Sequence, residues 1–152
     1  MQKITPFLWF DKEASEAARF YTTVFPRARI VGTETFSDTP SGSVDIVTIE
    51  LMGQEFTLMS AGPLFKFNES ISFVVNCESQ DEVDYFWKEL TSDGGQESMC
   101  GWLKDKYGLS WQIVPTVLPK LLQKDKSGRV MKAMLQMKKI DIKTLKHAME
   151  QE

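Results

Sequence analysis

The amino-acid sequence describes one structural unit twice. Residues 4–11 and residues 71–78 are both apolar runs that end in an acid, and a helical pattern follows each run. The apolar side chains of both helical patterns are spaced i, i+3, i+4 and i+7. They are Ala17, Phe20, Tyr21 and Val24 in the first copy, and Val83, Phe86, Trp87 and Leu90 in the second. A repeat of this kind constrains the fold strongly, because it shows which positions of the two halves correspond.

The alignment offsets show that the two copies differ in length, and in which part of the copy the difference lies. The opening strands align at +67, whereas residues 53–58 align with residues 108–113 at +55, so the first copy is longer by about 12 residues. We place these residues in a longer hairpin around Pro40, since Pro and Gly mark turns. Each copy is predicted to be β-α-β-β-β. Predicted strands lie near 3–10, 28–37, 43–52, 55–61, 70–77 and 109–114, with short strands near 97–104, and predicted helices lie near 13–25 and 80–92.

The predicted fold class is α+β, with four parts. They are a first βαβββ module at residues 1–62, a connector at 63–69, a second module at 70–116 and a helical C-terminal tail at 117–152. Tail helices are expected near 128–137 and from Ile142. Modules this small are marginal alone, so we expect their sheets to join into a curved mixed sheet with a cavity on its inner face, where ligands commonly bind.

Charge and composition exclude several classes of partner. Residues 1–119 carry a net charge of −8 and residues 120–152 carry +5. An acidic body is repelled by phosphate backbones, so nucleic-acid binding is not expected. The basic tail is predicted to lie against its own acidic body or against that of a partner subunit. No apolar run approaches the ~20 residues of a membrane span. Neither a secretion signal nor a disulfide framework is seen, which predicts a cytoplasmic location with Cys77 and Cys100 reduced.

Several motifs in this arrangement resemble one known superfamily. They are residues 7–11, 20–26, 62–68, 100–105, 111–115 and 131–139. The chain resembles the vicinal oxygen chelate superfamily, which includes glyoxalase I, extradiol dioxygenases and bleomycin-resistance proteins. More narrowly it is similar to the PhnB-like branch, whose members are often labelled 3-demethylubiquinone-9 3-methyltransferase domain proteins. The resemblance also implies a homodimer.

Metal-dependent members of that superfamily carry one ligand on the first strand and one on the last strand of each module. The matching positions here are Thr5, Thr57, Ser72 and Gln112, and the repeat offsets pair Thr5 with Ser72 and Thr57 with Gln112. Transition metals need imidazole, thiolate or carboxylate ligands, whereas these four side chains offer neutral oxygens. His147 lies outside both modules. We therefore predict no metal site and no cofactor.

Several candidate residues are compatible with either a role in ligand binding or a role in packing. Gln112 is a cavity amide or a glutamine that satisfies sheet backbone groups. Phe7 and Trp9 form an aromatic wall or a packed core, and Trp102, beside a glycine, lines a pocket or packs on the sheet. Cys77 resembles a small buried hydrophobe.

The sequence thus predicts a metal-independent binding protein, or an enzyme, for a small organic ligand. The predicted cavity residues are Thr5, Phe7, Trp9, Thr57, Ser72, Trp102 and Gln112. One alternative is non-catalytic sequestration, as in drug-resistance proteins. Another is methyl transfer, although a common methyl-donor site needs a doubly wound sheet with a Gly-rich first turn, and Gly94 and Gly95 follow a helix instead.

Overall fold

A computed structural model of the chain describes residues 2–150. Spatial contacts divide it into two compact units, Met1–Phe67 and Asn68–Glu152. None of the helices within residues 2–150 is long and apolar enough to cross a membrane.

The first module contains one helix and a four-stranded sheet. Its elements are β1 (Phe7–Phe10), α1 (Ala14–Val24), β2 (Ala28–Thr39), β3 (Gly42–Leu51) and β4 (Gln54–Ser60). The strand order is β1-β4-β3-β2. Strand β1 runs parallel to β4, and the other pairs are antiparallel. Helix α1 ends where Phe25 becomes extended (φ −86°, ψ 135°), because the residue before a proline disfavours the helical region.

Helix α1 packs on one face of this sheet through an apolar stripe. Its buried face consists of Ala14, Ala17, Ala18, Tyr21 and Val24. On the strands, burial alternates, as expected for a sheet with one covered face. The side chains buried on β3 and β4 are Val47, Ile49, Leu51, Phe56 and Leu58. Thr48 and Thr57, which alternate with them, are only half-buried and lie on the opposite face.

The second module repeats the plan of the first. Its elements are β5 (Ser72–Cys77), α2 (Gln80–Leu90), a 3-10 turn (Ser92–Gly94), β6 (Gln96–Glu97), β7 (Trp102–Lys104) and β8 (Ser110–Pro115). The strand order β5-β8-β7-β6 is that of the first sheet. Ser79 caps α2, since its Oγ accepts from the Glu82 backbone N–H at 3.2 Å. Glu82 Oε1 in turn accepts from the backbone N–H of Glu78, the residue before the cap, at 3.3 Å.

Strand register agrees with the repeat. Phe7 pairs with Thr57 in the first sheet. The offset of +67 takes Phe7 to Val74 and the offset of +55 takes Thr57 to Gln112, and these two residues pair in the second sheet. The longer hairpin of the first module is also confirmed. Strands β2 and β3 have 12 and 10 residues, whereas their counterparts β6 and β7 have 2 and 3.

The predicted start of the first strand was wrong. Strand β1 begins at Phe7 and not near residue 3, so Thr5 precedes it. The Gln2 side chain takes the place of backbone pairing at this point. Its Nε2 donates to the Glu55 carbonyl at 2.9 Å, and the Glu55 N–H donates to its Oε1 at 3.1 Å.

The tail forms three helices, α3 (Val117–Lys124), α4 (Arg129–Leu135) and α5 (Ile142–Glu150). The two predicted helices are confirmed, and α3 was not expected. Pro119 is its third residue, where the backbone N–H would have no intrahelical partner in any case, so proline is tolerated there. The helices share a core of Leu118, Leu121, Val130, Ile140 and Leu145, with Met134 and Met137 packed against it.

The tail lies against the second module of its own chain. The backbone N–H groups of Cys100 and Gly101 donate to the carbonyls of Met137 and Lys138 at 2.7 and 2.8 Å. The Gln80 side chain binds the backbone of the tail through two hydrogen bonds. Its Nε2 donates to the Ile140 carbonyl at 3.0 Å, and its Oε1 accepts from the N–H of Ile142 at 2.8 Å. Lys139 Nζ lies 2.8 Å from the carboxylate of Asp84 on α2. The basic tail therefore meets its own acidic body.

Candidate functional site

The second sheet has one face covered by α2 and one face that carries polar residues. The covered side chains include Cys77, Leu103, Trp111 and Ile113, which are buried. The residues that alternate with them define what we call the polar face of the second module. It consists of Ser72, Val74, Gln96, Trp102, Lys104, Ser110 and Gln112.

Two of the predicted site residues contact each other on the polar face. Gln112 Nε2 donates to Ser72 Oγ at 2.9 Å. The two lie diagonally across the parallel strands, because Ser72 pairs with Ser110 and Gln112 pairs with Val74. This bond joins the Gln112 amide to a side chain on the polar face. The bond uses one of the two donors of the amide and none of the acceptor capacity of its oxygen.

Trp102 lies directly beside this pair and lines a pocket. It is the antiparallel partner of Gln112 and is half-buried. The pocket has a volume of about 220 Å³, and its lining includes Glu69, Gln96, Ser98, Trp102, Lys104 and Ser110. The geometry thus brings Ser72, Trp102 and Gln112 together on one surface.

Ser110 is a pocket residue that was not predicted from the sequence. Its side chain is fully buried, and its Oγ has no hydrogen-bond partner among residues 2–150. Most buried polar side chains do have a partner. A signal was present in the sequence, since Ser110 precedes Gln112 by two residues on a strand and must share its face.

Lys104 and Glu69, which both line this pocket, form an ion pair. Lys104 Nζ lies 2.5 Å from Glu69 Oε1, and the Glu69 side chain is 63% exposed. The hydrogen bond from Lys104, together with its charge, lowers the pKa of the Glu69 carboxyl. Neither residue was predicted, because their proximity depends on how the segment before β5 meets β7.

The remaining predicted residues lie on the first module. Phe7 and Thr57 are paired across β1 and β4, and Phe7 is 55% exposed. Trp9 Nε1 donates to the carbonyl of Gly62, the last residue of the predicted first module, at 2.8 Å. Its ring also meets Phe65 edge-on at 5.0 Å. Thr5 is exposed, and its Oγ1 accepts a hydrogen bond from Gln2 at 3.3 Å.

The side chains at the superfamily's ligand positions do not suit a transition metal. Hydroxyl and amide oxygens carry no charge, and such ions prefer imidazole, thiolate or carboxylate. The side chains of Ser72 and Gln112 are also hydrogen-bonded to each other. Within residues 2–150, no three or more His, Cys, Asp and Glu side chains are grouped as a metal site would require.

Cys77 is predicted to be unreactive in the folded protein. Burial, with the charges of Glu82 and Glu78, raises the pKa of its thiol to about 12, and the thiolate is the reactive form. In a Cys100→Ser variant at pH 8, we expect iodoacetamide to modify Cys77 only after denaturation, as measured by mass spectrometry. Stability should fall as the pH rises above about 9, because the unfolded thiol then ionises while the folded one does not. Rapid labelling of the native variant would contradict this assignment.

Comparison with known proteins identifies the family. The sequence model of the 3-demethylubiquinone-9 3-methyltransferase family matches residues 2–114. The PhnB protein of Bacillus cereus, which carries the same methyltransferase name, is 34% identical to this chain. The match covers 76% of this chain and 100% of that one, with a TM-score of 0.67.

More distant solved structures share the fold. Protein PA1353 from Pseudomonas aeruginosa is 18% identical over 76% of this chain and 98% of its own, with a TM-score of 0.58. The fosfomycin resistance protein FosX from Listeria monocytogenes is 13% identical over 80% of this chain and 96% of its own, also with a TM-score of 0.58. No curated protein matches the chain significantly. The chain therefore belongs to the 3-demethylubiquinone-9 3-methyltransferase family, within the PhnB-like branch of the vicinal oxygen chelate superfamily.

Proposed function

We propose that this protein binds a small organic molecule on the polar face of its second module, without a metal ion. The observation that carries the proposal is the Gln112–Ser72 hydrogen bond of 2.9 Å beside the half-buried indole of Trp102. The bond holds the amide in one orientation, so its free oxygen and N–H can recognise a polar group. An aromatic side chain next to them offers apolar contact area for the rest of the ligand.

Any reaction at this surface would depend on positioning and hydrogen bonding. Oriented neutral donors stabilise developing negative charge when water is excluded, and Gln112 provides one such donor. Thr57 holds the equivalent place on the first module by the repeat, with Phe7 as its partner across the strands.

A thermal-shift screen of metal-stripped protein tests the proposal. The panel would contain Zn²⁺, Ni²⁺, Mn²⁺ and Fe²⁺, S-adenosylmethionine, quinone-like aromatics and glycopeptide drugs. Binding of a ligand to the folded state raises the melting temperature, so we expect a shift with an aromatic organic compound and none with the metals. Purified protein that carried one equivalent of tightly bound metal per chain would contradict the metal-free site.

Substitution of Gln112 by alanine should weaken the best organic ligand of that screen about tenfold. The change removes the oriented amide, and a site left with unpaired polar groups typically loses about 1–3 kcal/mol of binding. Isothermal titration calorimetry measures the loss. Gln123→Ala, an exposed glutamine on α3, is the matched control and should bind as the wild type does. Unchanged affinity in Gln112→Ala would remove this residue from the site.

The family name supports methyl transfer as a second candidate. The screen separates the two, since stabilisation by S-adenosylmethionine alone would favour a methyltransferase. Each sheet has a single parallel pair among its four strands, whereas a common methyl-donor site lies on a doubly wound parallel sheet. Turnover of the bound compound would distinguish an enzyme from a sequestering protein.

A further inference from the structure

We propose that the pocket beside Trp102 binds a small organic acid, whose carboxylate replaces that of Glu69 on Lys104. The inference rests on the function proposed above and adds the chemical class of the ligand. Three observations on the second module support it. They are a row of polar residues across the sheet, the buried Ser110 hydroxyl without a partner in the described residues 2–150, and the exposed ion pair between Glu69 and the pocket residue Lys104.

The polar row crosses all four strands of the second sheet at one level. Ser72 pairs with Ser110, Ser110 pairs with Lys104, and Lys104 pairs with Gln96. Paired residues on neighbouring strands point to the same side of a sheet. Three of the four, Gln96, Lys104 and Ser110, line the same pocket of about 220 Å³. A ligand there meets one cation with neutral hydrogen-bonding groups on both sides of it.

Ser110 provides the second observation. Its Oγ is buried and lacks a partner within the described residues 2–150, which is unfavourable for a hydroxyl removed from water. A serine hydroxyl can donate to a carboxylate, and such charge-assisted bonds are about twice as strong as neutral ones. Because Ser110 is the strand partner of Lys104, one carboxylate can accept from both side chains.

Glu69 shows what kind of group Lys104 attracts. Its carboxylate lies 2.5 Å from Lys104 Nζ, although its side chain is 63% exposed. Exposed ion pairs contribute little to stability, so a ligand carboxylate that also bonds Ser110 can displace Glu69 at small cost. The other acid of the lining, Glu97, accepts a hydrogen bond from Trp87 Nε1 at 2.8 Å and so is engaged with α2.

Benzoate and benzamide form a matched pair of probes, because they share an aromatic ring that can contact Trp102 and differ in charge. Calorimetry at pH 7 and constant ionic strength should show that benzoate binds at least about tenfold more tightly than benzamide. Lys104→Gln should reduce that preference to about twofold or less, and Ser110→Ala should weaken benzoate several-fold. Glu69→Gln removes the internal competitor, so it should tighten benzoate by a few-fold.

Lys106→Gln is the control for the loss of one positive charge, since Lys106 belongs to the same module and faces Asp93 at 3.9 Å. It should keep the preference for benzoate. Melting curves of every variant establish that each one is folded. Equal affinity for the two probes, no binding of either, or weaker benzoate binding by Glu69→Gln would each overturn the inference. If the probes bound equally and Gln112→Ala weakened both, the proposed function would stand while the ligand class would not.

Discussion

Replacing Asp105 with alanine is expected to lower the free energy of unfolding by about 3–5 kcal/mol, because it leaves several buried donors unpaired. The Asp105 side chain is 2% exposed. Its Oδ1 accepts from the backbone N–H groups of Tyr107 and Leu109 at 2.9 and 3.1 Å. Its Oδ2 accepts from Trp111 Nε1 at 2.9 Å. The carboxylate thus closes the turn between β7 and β8 and also anchors the indole beneath the sheet.

Urea denaturation followed by circular dichroism measures this loss. Asp105→Asn keeps one acceptor oxygen but can place an amide NH₂ against the Trp111 N–H, so we expect a smaller loss of about 1–3 kcal/mol. Asp125→Ala is the matched control. Asp125 also accepts from two backbone N–H groups, those of Ser127 and Val130 at 3.1 and 2.7 Å, but it is only half-buried. If Asp105→Ala cost no more than Asp125→Ala, burial of the carboxylate would not be the cause.

The parts of the fold that depend on local patterns could be predicted from the sequence. Helical spacing placed α1 and α2, and the repeat offsets matched equivalent positions of the two copies. The register agrees with them, since Phe7 pairs with Thr57 in the first sheet and the equivalent residues Val74 and Gln112 pair in the second. Both signals depend on residues close in sequence or on comparison of two copies. Helix α3 was not predicted, since proline generally disfavours a helix, but Pro119 lies in the first turn, where proline is compatible with helical structure.

The pocket was predictable only in part, because its residues meet through strand register. Alternation with Gln112 could have revealed Ser110, which lies two residues earlier. Lys104 and Glu69 could not be found in this way. Their contact depends on the pairing of β7, a strand of three residues, and on the path of the segment before β5. Two residues with positive φ, Cys100 and Gly101, directly precede β7, and hydrophobic patterning does not reveal such backbone geometry.

Gly101→Ala is expected to cost about 2–4 kcal/mol of stability, the sum of backbone strain and overpacking. Gly101 has φ +84°, and a Cβ there would lie 3.0 Å from the Ile113 carbonyl oxygen and 3.1 Å from Ile140 Cγ1. The same residue holds the tail, since its N–H donates to the Lys138 carbonyl at 2.8 Å. A methyl group therefore strains the turn before β7 and pushes against the fully buried Ile140 at once.

Gly108→Ala separates these two effects. Gly108 has φ +86° but open space around its Cβ position, so its substitution should cost only the strain, about 1–2 kcal/mol. Ile140→Ala removes one of the two clashing groups, although it empties a buried site. The cost of the double variant Gly101→Ala/Ile140→Ala should therefore be smaller than the sum of the single costs. If the stability losses of Gly101→Ala and Ile140→Ala were additive, or if the two glycine variants lost equal stability, a clash between the Cβ at position 101 and Ile140 would not be a cause of the loss.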